Sequence, residues 1–362
     1  MKVAFDYKIF YRQKFGGPSR YFSELFENLN EHYCDTHIVS PIYTNEYLKN
    51  SKYLKNIHGV KFSSRRFFGK FYEYLNNNIS ELVISRMNPE IIHTTYYDDV
   101  LMTQKKPIVL TVHDLIHEIF YKDFGFEKYF KPKKKMIDRA DHIICVSKST
   151  KKDLIEYYNV DEKKISVIYH GVTKKENIGN YSLKEKKPFF LYIGSRKRYK
   201  NFKIFLEAYC LNSLISKNFN IICFGGGLFL DEEHKLFESL SIDKTQITNI
   251  SGDDNTLTYL YKNAQALIYP SLYEGFGMPI LEAMRLKCPV ISSNSSSLPE
   301  VYGNTCLSFN PNSKIELAEH LNTISNNNDF KNKIIQDAFL RSKIFSWEKC
   351  ARETMDVYES LL

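Results

Sequence analysis

The feature that most constrains this chain is a rhythm. Short β-branched, apolar runs alternate with amphipathic stretches, and the pattern plays twice along 362 residues. Strands buried on both faces read as near-continuous apolar runs, and parallel strands need long crossover connections, so this alternation predicts an α/β chain of parallel sheets wrapped by helices. Strand candidates in the first half are 3–6, 37–40, 91–94, 108–113, 142–146 and 165–169, with a helix expected between each pair. The rhythm then breaks at TKKENIGNYSLKEKK (173–187), whose lysine, asparagine and glycine content suits an exposed linker. It resumes at 189–193, 221–224, 266–269, 290–292 and 306–309. The reading therefore places a first domain at 1–172 and a second at 173–345, each a doubly wound, Rossmann-like sheet. The remaining segment, 346–362, carries Trp347, Ala351, Met355 and Tyr358 at helical spacing and is expected to pack back on the first domain.

Bulk properties exclude several classes. The length exceeds a single hydrophobic core, and 43% hydrophobic residues with 26 Tyr and 26 Phe rule out disorder. No apolar run reaches the roughly 18 residues that span a bilayer, and MKVAFDYKIF reads as a strand rather than a signal peptide, so a cytoplasmic protein is expected. The seven cysteines are odd in number and sit in apolar surroundings, as reduced core thiols do. A formal charge of +8 suits an anionic partner, but a nucleotide diphosphate, a membrane surface and nucleic acid all qualify.

Chemistry concentrates after the second-half strands. Following 266–269 comes Ser271-Leu-Tyr-Glu274-Gly-Phe-Gly-Met-Pro279-Ile-Leu-Glu282. Pro279 suits the first turn of a helix, which would put the amides of Gly275, Phe276, Gly277 and Met278 at a positive helix N-terminus where an anion is favoured. Glu274 lies in the loop and Glu282 about one turn into that helix, so the two carboxylates are suited to grip separate hydroxyls of one ligand; the plainer alternative is a helix-dipole partner and a surface carboxylate. Following 189–193 comes Gly194-Ser-Arg196-Lys-Arg-Tyr-Lys200-Asn201, where Lys200 and Arg196 or Arg198 can converge on a diphosphate; Arg196 is the choice made here, against a merely solvated basic turn. Gly225-Gly226-Gly227 follows the strand candidate 221–224 and is read as either a flexible turn or a loop approaching the nucleotide. In the first half, His113 ends the strand candidate 108–113 at the sheet's carboxyl edge, and Phe15-Gly16-Gly17-Pro18 leads into a helical pattern at 19–29. A zinc pair of His113 with His117 would need a helix where the pattern reads as strand. Asp98-Asp99 and Asp253-Asp254 are adjacent pairs whose side chains diverge, and read as turns rather than metal sites.

Glu274 and Glu282, with seven residues between them, match the E-x7-E signature of retaining family-four glycosyltransferases. The segments FGGPSRY, LTVHDLI, ICVSKSTKKDLI, ISVIYHGV, FFLYIGSRKRYKN and SNSSSLPEVYG resemble the family's blocks in order over nearly the whole chain. The resemblance implies a GT-B fold, two Rossmann-like domains facing across a cleft, with the acceptor on the first and the nucleotide-sugar on the second. It implies that Glu282 holds the ribose, Glu274 contacts the donor sugar, backbone near Phe276 and Gly277 meets sugar and diphosphate, and Arg196 and Lys200 neutralise the leaving group. It likewise implies that His113 positions the sugar or handles a proton and that Gly17 approaches the donor phosphate. Asp253 and Asp254 stand where the family binds the base. No D-x-D occurs, so no metal and no cofactor are expected. The blocks look closest to mannosyltransferases of O-antigen assembly, which implies GDP-mannose as donor, a glycan or lipid-linked glycan as acceptor, and no nucleic acid partner. Lys128, Lys131, Lys133, Lys134 and Lys135 around Tyr129 and Phe130, and Arg65, Arg66, Phe67, Phe68 and Lys70, are candidates for contact with an anionic inner membrane face; solvated helices with aromatics turned inward are the alternative. The rival functions are a GT-B-fold epimerase or phosphorylase and a non-catalytic polyanion-binding subunit.

Overall fold

The computed structural model describes residues 1–62, 69–97, 105–124, 126–173, 187–196 and 198–362, with 123, 124 and 126–129 described by backbone alone. The linker 174–186, Asp98, Asp99 and the group Arg65, Arg66, Phe67 and Phe68 lie outside the described residues, as do the side chains of Lys128 and Tyr129.

The chain divides into two compact units, one made of Met1–Gly171 with Ser346–Leu362 and the other of Val172–Phe345. In the first, β1 (Lys2–Phe5), β2 (Asp35–Tyr43), β3 (Ile57–Lys61), β4 (Ile91–Thr94), β5 (Ile108–Val112), β6 (His142–Cys145) and β7 (Ile165–Val167) form one parallel sheet of order β3-β2-β1-β4-β5-β6-β7. In the second, β8 (Phe189–Ile193), β9 (Asn220–Phe224), β10 (Ile247–Ile250), β11 (Ala266–Tyr269), β12 (Val290–Ser293) and β13 (Leu307–Phe309) form another, ordered β10-β9-β8-β11-β12-β13. Each is a parallel α/β sheet with helical crossovers. The strand order reverses between β1 and β4 in one sheet and between β8 and β11 in the other, and loops leaving the carboxyl ends there diverge and open a crevice for ligands.

The central strands were legible because both faces are buried: β5 and β8 are apolar and buried along their whole length. Two strands were not read, β3 and β10, and both are sheet edges with mostly exposed or half-exposed residues, IHGVK and ITNI. Between β4 and β5, residues 98–104 lie outside the described residues, so the helix expected there is not tested. Helix ends follow local chemistry. Pro18 stands in the first turn of helix Gly17–His32. Ser147 caps helix Lys148–Tyr158 by accepting from the Thr150 amide.

The final helix, Trp347–Glu359, belongs to the first unit. It buries Trp347, Ala351, Thr354 and Tyr358 along one face and packs on helix Gly17–His32. Gly171 lets it approach, because a Cβ there would come within 2.1 Å of the Trp347 nitrogen. Tyr358 reaches into the sheet to bond His93 Nδ1 at 2.5 Å, while His93 Nε2 meets Thr111 Oγ1 at 2.7 Å. All seven cysteines are free thiols, and five are buried. Among the described residues no helix is long and apolar enough to cross a membrane.

Candidate active site

In the second unit, the loops after β8 and β11 meet at the point where the strand order reverses. The β11 loop runs from Ser271 through Glu274 into helix Met278–Arg285, whose N-cap Gly277 sits at φ 106 with Pro279 in the first turn. A side chain at 277 would be strained by that φ, and its Cβ would come within 2.8 Å of Leu298. Two serines from the following segment and one within the loop then hold Glu274, and a further serine at the end of β12 holds the loop itself. Its amide donates to Ser296 Oγ at 2.9 Å, and its carbonyl accepts from Ser296 Oγ at 3.0 Å and Ser297 Oγ at 2.8 Å. Ser271 Oγ donates to its carboxylate at 2.6 Å, and Ser293 Oγ donates to the Ser271 carbonyl.

Lys200 completes this arrangement from the β8 loop. Its Nζ lies 2.6 Å from Glu274 Oε1 and 3.3 Å from the Tyr269 hydroxyl. Lys200 and Glu274 side chains are 15% and 10% exposed, so the ion pair is largely withdrawn from water. Burial pushes the Tyr269 phenol up, and the neighbouring Glu274 carboxylate pushes it further, so it stays neutral and serves as a dipole beside the pair. Tyr192 fixes the same loop from below, within hydrogen-bond reach of the carbonyls of Ser195 and Lys200 at 3.0 and 3.3 Å.

Glu282 has its own anchor. Its Oε2 lies 2.9 Å from the Tyr261 hydroxyl, which also lies 3.1 Å from the Pro279 carbonyl. The two glutamates thus hang on one short loop and helix but on separate partners, which holds two acceptor groups at a fixed spacing. Gly275, Phe276 and Met278 lie between them; the Phe276 side chain is buried edge-to-face on Phe345 at 6.0 Å, leaving only its backbone for a ligand.

The structure brings Lys200 and Glu274 together and sets Arg196 against a different carboxylate. Arg196 pairs with Glu233 through Nε and Nη2, and donates to the carbonyls of Gly225, Gly227 and Leu228. Asp253 is a helix cap: its carboxylate accepts from the Thr256 amide at 2.9 Å, and this bond holds its pKa below the ordinary range. Among the described residues no three His, Cys, Asp or Glu side chains are grouped to hold a metal.

In the first unit, His113 follows β5 and packs against Tyr21, Phe22 and His170, with ring centroids 5.2, 5.8 and 6.0 Å away. Its Nε2 is buried without a hydrogen-bond partner among the described residues. Burial pushes its pKa down to about 3, so the imidazole is neutral and offers a hydrogen bond rather than a positive charge. His117 lies in a separate helical turn, Ile116–Ile119, so it does not share a helix with His113. Gly17 opens helix Gly17–His32, and nothing described stands within 4 Å of a Cβ there, so no packing within the unit demands glycine.

Sequence reasoning missed His93 and the serine cradle of Glu274. His93 sits inside an apolar strand, where its type alone gave no signal. The serines were quoted in SNSSSLPEVYG, and their reach to Glu274 follows only from β11 and β12 being neighbours. One basic residue was misread. Lys133, grouped with surface lysines, is 1% exposed and pairs with Glu118 at 2.8 Å, while also donating to the Asp114 carbonyl at 3.1 Å. A buried ammonium needs such a counter-charge. Phe130 beside it stacks on Tyr158 at 4.9 Å, turned into the unit.

Comparison with known proteins adds the family. The profile described as Glycosyltransferase Family 4 matches residues 15–176, and that described as Glycosyl transferases group 1 matches residues 173–341. O-antigen chain mannosyltransferase RfbU of Salmonella typhimurium strain LT2 is 35% identical over 231 residues, which cover 62% of this chain and 62% of that protein. The chain spans 28%, 62% and 38% of the length of the first three curated relatives it matches. Among solved structures, sucrose-phosphate synthase from Thermosynechococcus elongatus superposes with a TM-score of 0.78 at 17% identity, covering 99% of this chain and 98% of that one. Anabaena HepE in complex with UDP and glucose gives 0.76 at 15% identity, covering 99% of both chains. With adjoining family matches from residue 15 to residue 341 over a GT-B fold, the chain belongs to the glycosyltransferases.

Proposed function

We propose that this glycosyltransferase transfers mannose from GDP-mannose, with retention and without a metal, to a glycan or lipid-linked glycan of a cell-surface polysaccharide. The observation that carries the reading is the Lys200–Glu274 pair at the strand reversal of the second sheet, beside the N-terminus of helix Met278–Arg285. A nucleoside diphosphate placed there meets an ammonium already desolvated and aimed, and it exchanges one anion for another at Lys200 without new ordering. Glu274, released from Lys200, can then accept from a sugar hydroxyl, and Glu282 from the ribose. The bond between the anomeric carbon and the diphosphate oxygen breaks with its electron pair going to the phosphate. The acceptor hydroxyl attacks the same face, and its proton passes to the departing phosphate oxygen. His113, neutral at ordinary pH, serves by positioning the sugar. Identity to a protein named as an O-antigen chain mannosyltransferase supports the choice of mannose.

The reading includes cytoplasmic placement and peripheral contact with an anionic inner membrane. Helix Gly69–Met87 supports it, because Phe71, Tyr74 and Leu82 on its outer face are 55%, 65% and 49% exposed beside exposed Lys70 and Arg86. Co-sedimentation with phosphatidylglycerol vesicles, lost in Phe71→Ser/Tyr74→Ser and absent with phosphatidylcholine, is the expected result.

The decisive experiment is saturation-transfer NMR against GDP-mannose, UDP-glucose, UDP-galactose and UDP-N-acetylglucosamine, repeated with Glu282→Ala and with EDTA. Binding of GDP-mannose that survives EDTA and fails in the variant is expected. Preference for a UDP-sugar, as the bound ligands of Anabaena HepE would suggest, replaces the donor. Loss on EDTA treatment overturns metal independence.

A further inference from the structure

Arg196 occupies the loop where a cation is wanted for the diphosphate, yet its side chain is 4% exposed and Glu233 offsets its charge at 2.5 Å. Nη1 donates to the Gly225 carbonyl at 3.2 Å; Nη2 reaches the carbonyls of Gly227 and Leu228, both at 3.0 Å, and Glu233 Oε2 at 3.3 Å. The Phe229 ring lies 4.7 Å from the guanidinium carbon. A guanidinium so engaged gives up several charge-assisted bonds before it can turn to a phosphate.

The loop it grips is unusual. Gly225, Gly226 and Gly227 sit at φ 80, 74 and 78, three consecutive left-handed residues that only glycine adopts without strain. Such a backbone holds no shape by itself, and its anchors come from outside. Gly225 donates its amide to the Ile250 carbonyl at 3.0 Å, and Asn249 donates to the Gly225 carbonyl at 2.8 Å. Arg196 supplies the rest. Gly226 touches the β8 loop so closely that a Cβ would come within 2.6 Å of the Gly194 carbonyl oxygen and 2.7 Å of Arg196 Nη1. A Cβ at Gly194, Gly225 or Gly227, by contrast, would meet nothing described within 4 Å. The two loops leave neighbouring strands at their carboxyl ends, the edge that also carries Lys200 and Glu274.

We infer that Arg196 and Glu233 form a buckle that fixes the Gly225–Gly227 backbone against the β8 loop as the open surface receiving the donor's nucleotide, so that Arg196 is a positioning residue and not a ligand of the diphosphate. This rests on reading the second unit as the nucleotide-sugar domain. Glu233 acts from helix Asp231–Ser239, where its Oε2 also accepts from the Leu230 amide at 2.8 Å, tying the loop's far end to the same carboxylate. Lys200, on the same loop, faces Glu274 instead.

The test compares Arg196→Ala, Glu233→Gln and the double variant by hydrogen exchange of amides 225–230, calorimetric titration with GDP and with UDP, and steady-state kinetics with the donor that binds. A buckle makes the two single variants alike: faster exchange in the loop, donor KM raised about tenfold, kcat within about twofold, and a double variant no worse than either single. Gly227→Ala, whose Cβ meets nothing described within 4 Å but whose φ of 78 strains any residue other than glycine, displaces the loop without touching the ion pair; it is expected to raise KM in the same way, and it stands in should Arg196→Ala fail to fold. A diphosphate ligand behaves oppositely. Arg196→Ala would then cut kcat by about 10² or more, while Glu233→Gln, freeing the guanidinium, would leave nucleotide binding unchanged or tighter; that pair of results overturns the inference. If the wild type binds neither GDP nor UDP, the proposed function fails, and loop exchange alone judges the buckle: unchanged exchange in both single variants refutes it.

Discussion

Replacing Lys200 by Met removes the cation from a carboxylate that keeps little water. At 2.6 Å two unit charges attract by about 6 kcal/mol at an effective dielectric of about 20, most of it offset by the desolvation both groups have suffered. Breaking a buried pair from one side costs about 3–5 kcal/mol because the other charge is stranded. Here Ser271 still donates to Glu274 and both side chains retain some exposure, so the expected loss is about 2–3 kcal/mol. For a domain of this size that corresponds to a fall of roughly 4–12 °C in the midpoint of the second unit's transition. Adding Glu274→Gln to Lys200→Met should return about 1 kcal/mol or more, since no charge is then left unpaired. Scanning calorimetry of the wild type, both single variants and the double variant reads this cycle. An unchanged midpoint for Lys200→Met, or a double variant losing the sum of the two singles, would refute the claim that the two side chains are electrostatically coupled.

Other expectations follow from the first unit. Gly171→Ala should displace helix Trp347–Glu359, because the added Cβ meets backbone at 2.1 Å; the chain's one tryptophan is Trp347, so a red-shifted emission reports it directly. Lys133→Met strands the buried Glu118 carboxylate and should cost about 3–5 kcal/mol, read by urea unfolding. His93 and His113 have folded pKa values pushed down to about 3 by burial, below the ordinary 6.5, so the unfolded chain takes up their protons first. Their stabilisation is complete above pH 6.5 and shrinks as pH falls toward 3, by about 1.4 kcal/mol per pH unit for each. Asp6, raised to about 6 by burial, works the other way between pH 6 and 3.8, while His170, buried beside His113 and likewise pushed down, adds to the loss, so the net loss from pH 7 to 5 is at least about 3 kcal/mol. A first unit equally resistant to urea at both pH values would contradict this.

How much of this was readable beforehand depends on what each residue had to satisfy. Strands such as β5 and β8 announce themselves because burial on both faces admits only apolar residues, whereas β3 and β10 lie at sheet edges, where water relaxes that demand. Pro279 and Glu282 declared the helix after β11 through local rules of helix starts. Lys200 and Glu274 were each picked out as functional, but their contact joins positions far apart in sequence and follows from β8 and β11 being neighbours. Arg196 shows the limit most clearly: nothing local to its loop announces Glu233 or the three loop carbonyls, which only the fold brings to it. Lys133 was hidden for the same reason, since a helix rich in lysine does not reveal which of them turns inward.

The membership of Trp347–Glu359 in the first unit has a consequence for how the molecule is made. The second unit is an insertion within the first, so a ribosome delivers it whole before supplying the helix that finishes its predecessor. His93 waits for Tyr358 across 265 positions of chain, and until that partner arrives a buried imidazole and the aromatic side chains around it have no cover. The first domain to begin is therefore the last to be completed. Any chain halted after residue 345 would hold a finished second domain and an unfinished first one, a state that chaperones and proteases should recognise by its open aromatic seam.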